Sequence, residues 1–172
     1  MASHQQLRDP DPLVRQEAAI ALGDFCRKDH PAVNVLIERL RSSEFTHHDR
    51  ACAAWALGRI GARTSEVIPI LLSVIEETRD QTEADELRSY AAEAIVNLIS
   101  EMDVLLKLAQ HCLVDRFWKC RMNGLLLVER LLTRQPDLRD SLVPLVEPLV
   151  TDEVEEIREK ARRILIGFEE GE

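Results

Sequence analysis

Aromatic residues are scarce in this 172-residue chain: two Trp, one Tyr and four Phe make up 4% of it. That poverty speaks against a β-sandwich, whose strands draw on aromatic and β-branched side chains. Positive charge is short as well, with 22 Lys and Arg against 31 Asp and Glu and a formal net charge of −9. So acidic a chain lacks the basic footprint through which nucleic-acid binders neutralise phosphates, and no nucleic-acid partner is expected. Lysine is the rarer base, four against 18 arginines, which points to fixed, fork-shaped guanidinium contacts. The cysteines, Cys26, Cys52, Cys112 and Cys120, form no C-x-x-C pair and no zinc spacing. A chain of this size needs no disulfide staples, so a reducing, cytoplasmic setting is expected. No signal-peptide core follows the opening MASHQQLRDPD, and no apolar run approaches the roughly 18 residues of a membrane span, so a soluble protein without a membrane partner is expected. G-x-S-x-G, a phosphate loop and a Ser-His-Asp spacing are all missing too, and no catalysis is expected.

What is present is a repeated phrase. Hydrophobic residues at 45% and charged residues at 31% describe a globular chain, and its length fits one domain, 1–172. VRQEAAIALGDF, DRACAAWALGRI, LRSYAAEAIVNL, CRMNGLLLVERL and IREKARRILIGF align on Arg15, Arg50, Arg88, Arg121 and Arg158. The steps between these arginines are 35, 38, 33 and 37 residues. Three residues after each stands a small one: Ala18, Ala53, Ala91, Gly124 or Ala161. Seven after each stands Leu22, Leu57, Ile95, Val128 or Leu165, and ten after each Phe25, Ile60, Leu98, Leu131 or Phe168. Offsets of three, seven and ten share one face of a helix, so the spacing predicts five amphipathic inner helices near 11–25, 48–61, 86–99, 117–132 and 153–168.

Between them lie four more amphipathic segments, 31–43, 67–80, 103–115 and 140–152. Pro144 and Pro148 are expected to kink or shorten the last of these. Helical pairs at periods of 33 to 38 residues predict stacked repeats sharing a continuous core. The first helix of type P-x-L-[IL], followed by D-x-x-x-x-VR-x-x-A-A-x-A-L-G, resembles a HEAT repeat of the short bacterial kind related to phycobilisome-lyase repeats. That resemblance implies an all-α, armadillo-like fold: a right-handed α-α superhelix of about five repeats. The first would be truncated, because MASHQQL is too short for an outer helix, and the acidic FEEGE would close the other end.

Six residues before the arginines stand Asp9, Glu44, Thr82, Asp115 and Asp152, an acid in four copies of five. In HEAT repeats such Asp and Arg positions resemble inter-repeat ladders, so a structural role is expected of the arginines. His48 stands four residues before Cys52, and His111 four before Asp115, spacings that put two metal-ligand types on one helical face. Neither pair has a third ligand nearby in sequence, and no metal site and no cofactor are expected. HEAT-like deoxyhypusine hydroxylases resemble the phrase but carry His-Glu directly after the arginine for di-iron. Here Gln16-Glu17, Ala51-Cys52, Ser89-Tyr90, Met122-Asn123 and Glu159-Lys160 stand there, which argues against that chemistry. HEAT-like DNA glycosylases need a basic groove, which Glu17, Asp24 and Glu93 oppose.

If the arginine-bearing helices form the inner layer, positions two, five and nine after each arginine face the concave surface. Ile20, Trp55, Tyr90 and Leu126 then line up across four repeats with Arg59, Arg130 and Arg163 beside them. A Trp- and Tyr-bearing stripe rimmed by Arg has the composition of a binding hot spot, and large residues in such a row also serve to fill gaps between helices. The charge of that surface is expected to run from acidic at Glu17 and Asp24 to basic at Arg130, Lys160 and Arg163. The expected function is a non-catalytic adaptor that binds a partner protein in its concave groove. The alternative, implied by the phycobilisome-lyase resemblance, is an accessory protein that handles an open-chain tetrapyrrole or delivers a cofactor together with a partner subunit.

Overall fold

A computed structural model describes residues 5–98 and 102–169. Among the described residues there are nine α-helices, four short 3₁₀ segments and no strand. The chain divides into two compact units, Met1–Ile99 and Ser100–Glu172.

In the N-terminal unit, α1 (Pro12–Phe25) is followed by the pairs α2 (Ala32–Arg41) and α3 (His47–Ile60), then α4 (Thr64–Glu77) and α5 (Asp85–Leu98). Proline at the first position of α1 costs no hydrogen bond, and the Asp11 carboxylate caps the helix by accepting from Leu13 N–H at 2.9 Å. Thr46 caps α3, its Oγ1 accepting from Asp49 N–H. α3 ends at Gly61, whose φ of 67° lies where only glycine is comfortable, and the Gly61 N–H closes on the Leu57 carbonyl. α1 packs on α3 and α3 on α5, while α2 and α4 form a second layer against α3 and α5.

The alanine run of α3 has a direct explanation in this arrangement. The helix is flanked by α1, α2 and α5, and Ala51, Ala53, Ala54 and Ala56 are all buried. Small side chains around the whole circumference let three neighbours approach. Glycine does the same at two points. A Cβ on Gly23 would lie 3.1 Å from Ala56 Cα, and one on Gly58 would lie 2.7 Å from Ala94 Cα. Glycine eight residues after the arginine therefore meets alanine six residues after the next arginine, twice in succession.

The C-terminal unit contains α6 (Met102–Leu113), α7 (Trp118–Arg134), α8 (Arg139–Val146) and α9 (Glu155–Glu169). α7 packs on α6 and α9. Gly124 touches α6, since a Cβ there would lie 2.9 Å from the Leu113 nitrogen. α8 is only eight residues long, with Pro144 inside it, and passes at Glu147 into a 3₁₀ segment carrying Pro148, so the proline pair shortens this helix.

The repeated positions are buried unevenly. All five small residues at offset three are buried, as are Leu22, Leu57, Ile95 and Val128 at offset seven. At offset ten, Ile60 and Leu131 are buried, but Phe25 is 86% exposed. The expected apolar stripe fails there because α1 has as extensive neighbours only α3 and the 3₁₀ turn Gln6–Arg8, whose Leu7 is fully buried. The side chain of Phe168 and the end of the FEEGE tail lie outside the described residues.

Candidate interaction site

The residues expected on one face divide between the units: Ile20, Trp55, Arg59 and Tyr90 in the first, Leu126, Arg130 and Arg163 in the second. In the first unit Arg59 and Trp55 meet. Glu17, Ile20 and Asp24 follow one another at helical spacing on α1, as do His48, Cys52, Trp55 and Arg59 on α3 and Glu86, Tyr90 and Glu93 on α5.

Trp55 is half-buried, so it fills a gap between helices and leaves part of its ring open. A Cβ on Gly23 would lie 2.6 Å from Trp55 Cζ3, so the ring rests on the bare backbone of α1. The guanidinium of Arg59 stands over the ring, 5.4 Å from its centroid, and Arg59 Nη2 donates to Asp24 Oδ1 at 2.8 Å. The indole is therefore clamped between helices while part of it stays open, and Ile20, one helical turn before Gly23 on α1, is 41% exposed.

On the other flank of α3, Cys52 Sγ lies 3.7 Å from His48 Nε2, and His48 Nδ1 lies 3.4 Å from Glu86 Oε2. The expected His48–Cys52 pair is real in space and reaches α5. Burial, with Asp49 and Glu86 adding to it, pushes the Cys52 thiol up to about 11. It stays protonated at neutral pH and is no nucleophile. Among the described residues no group of three or more His, Cys, Asp or Glu is placed to hold a metal ion. Burial, helped by Glu86, Cys52 and Glu93, also raises the Tyr90 phenol, which places these carboxylates within electrostatic reach of the ring.

In the second unit Leu126 is 47% exposed, Arg130 is half-buried, and Arg163 is exposed with Nη2 3.5 Å from Glu159 Oε2. Lys160 Nζ pairs with Glu129 Oε1 at 2.5 Å. Acids on α7 and α9 thus meet two of the cations expected to make this end basic.

The arginines of the repeated phrase hold the architecture in two different ways. Arg15, Arg121 and Arg158 each donate Nη1 to two carbonyls of the preceding turn: Asp9 and Pro10, Asp115 and Arg116, Asp152 and Glu153. Arg15 also forks onto Asp49 (2.7 and 3.0 Å) and Arg121 onto Asp152 (2.7 and 2.8 Å). Arg50 and Arg88 reach further back, donating to the Leu40 and Thr78 carbonyls at the ends of α2 and α4, and Arg88 Nη1 also donates to the Gln81 carbonyl of the preceding turn.

The expected ladder needs one correction. The acid that receives Arg15 is Asp49, directly before Arg50, and not Glu44, which is exposed in the loop. Asp49 is buried and wins because the Thr46 hydroxyl and Arg39 bind it too. Burial alone would raise its pKa, but the hydrogen bonds from Arg15 and Thr46 hold it below the usual carboxylate range. Sequence reasoning missed Arg39 altogether. It is 2% exposed, donates to Asp49 Oδ1 and to the Leu7 carbonyl, and lies over the Phe45 ring at 4.8 Å.

No helix among the described residues is long and apolar enough to cross a membrane. No curated protein matches the chain. Residues 3–86 match the family described as HEAT repeats. That match covers α1 to α4 and the start of α5, whose paired helices and arginine-centred turns have just been described, so this part of an all-α chain is similar to HEAT repeats.

Proposed function

We propose that the protein is a non-catalytic adaptor that binds a partner protein through the face of α1, α3 and α5, the face expected to be concave. Ile20, Trp55, Arg59 and Tyr90 would make contacts in the N-terminal unit, and Leu126, Arg130 and Arg163 in the C-terminal unit. HEAT repeats commonly serve as protein-interaction scaffolds. The observation that carries the proposal is Trp55, a large aromatic side chain clamped by Gly23 and Arg59 yet partly open, with Ile20 exposed on α1. A ring already fixed in place loses little side-chain entropy on binding, which is why such anchors dominate interfaces.

The test is capture from source-cell lysate by the whole chain and by Ile20→Asp and Leu126→Asp variants whose helicity is checked by circular dichroism. Both positions are exposed, so the variants should fold. A client held by the native chain and lost by a folded variant supports the adaptor; equal capture by all three rejects this face. The phycobilisome-lyase-like alternative predicts a different signature: visible absorbance acquired on incubation with an open-chain tetrapyrrole.

A further inference from the structure

We infer that the face of α1, α3 and α5 takes an extended, basic segment of its partner, with Lys or Arg on either side of an apolar residue. The inference rests on the adaptor reading and adds the chemistry of the occupant. Four carboxylates stand on this face, Glu17 and Asp24 on α1 and Glu86 and Glu93 on α5, against one guanidinium, Arg59. That guanidinium is committed to Asp24 and to the Trp55 ring. Glu86 faces His48 across the α3–α5 step. Glu17 and Glu93 have no ion-pair partner among the described residues.

The apolar centre and the acidic flanks are arranged in order. The open part of Trp55 lies on the middle helix, Ile20 stands on α1 between Glu17 and Asp24, and Tyr90 stands between Glu86 and Glu93 along α5. Two helix-to-helix steps of about 8–10 Å separate α1 from α5, near the short end here because glycine meets alanine at both. An extended chain covers that span in about five or six residues at about 3.3 Å each. A side chain inserted beside Trp55 thus carries cations two or three residues away on each side to the two unpaired carboxylates. An acidic segment would meet like charge at both ends, which steers the choice of partner more than it sets total affinity.

Selection from a random peptide library about eight residues long, displayed against the immobilised whole chain, tests this directly. The expected result is enrichment of peptides with Lys or Arg flanking an apolar residue, lost with Ile20→Asp. Glu17→Gln with Glu93→Gln, two conservative changes at positions outside the core, should weaken the enriched peptides about three- to tenfold, and raising the ionic strength should do the same. If enrichment depends on Ile20 but the peptides are neutral or acidic, or bind the double Gln variant equally well, the basic segment is overturned while the adaptor face stands. Enrichment indifferent to Ile20→Asp, or no enrichment at all, overturns both.

Discussion

Asp49 ties several elements together through one side chain. Arg15, Arg39 and Thr46 all converge on it, and two of the three come from other helices. Asp49→Ala leaves Arg39 buried without its carboxylate, and breaking a buried pair from one side costs about 3–5 kcal/mol. The expected result is a large fall in the urea midpoint with helicity retained in the absence of denaturant. The pH dependence has a definite sign. A carboxylate whose folded pKa lies below its unfolded value stabilises the fold above about pH 4 and loses that contribution as pH falls through the folded pKa. The native chain should therefore lose more stability between neutral and acid pH than Asp49→Asn does, measured as the change in urea midpoint for each. Cys52 gives a second residue-scale prediction. With its thiol pushed up to about 11, alkylation at pH 7 should be slow and should accelerate only above about pH 10, followed by mass spectrometry of the peptide carrying it.

Among α1, α3 and α5, two glycines set how closely neighbours approach. Alanine is the better helix former by about 1 kcal/mol, so substitution at an uncrowded site should stabilise. Gly167, with nothing within 4 Å of an added Cβ, is such a site, and Gly167→Ala should raise the melting temperature slightly. Gly58→Ala should do the reverse. The new methyl would meet Ala94 Cα at 2.7 Å, backbone that can retreat only if α3 and α5 separate, and overpacking of this kind costs about 1–3 kcal/mol. At Gly23 the nearest atom belongs to the Trp55 ring, so Gly23→Ala should move the indole and change its fluorescence before it unfolds anything.

These glycines also mark the limit of what the repeated phrase revealed. Its arginines, small residues and helical pairs were legible because five copies share them. Glycine at offset eight occurs in only two copies, Gly23 and Gly58, and left no pattern to align. Arg39 belongs to an outer helix and has no counterpart in the phrase, so nothing in the spacing marked it as buried. Glu44 fitted the acid pattern and lost to Asp49 because burial and a threonine cap, neither visible as spacing, decide where a guanidinium settles. On the face of α1, α3 and α5, proposed above for partner binding, helical offsets placed Ile20, Trp55 and Tyr90 with their flanking acids. They did not reveal that Arg59 is spent on Asp24 and the indole.

At the scale of the whole molecule, charge and order matter most. A net charge of −9 with a sequence pI near 5.1 keeps copies apart at neutral pH. Turbidity should rise as the pH is brought toward 5 and clear again at neutral pH. Order enters through the arginines. Arg15 reaches an acid one residue before the next arginine, whereas the residue before Arg88 is Leu87. Arg50 answers to the end of α2, and Arg121 to an acid in a loop. Excising one helical pair and closing the chain would set Leu87 where Asp49 receives Arg15, and a guanidinium would face a hydrocarbon. Repeats that look interchangeable as text are keyed to their places, so recombination within such a gene would trade one matched joint for a mismatched one.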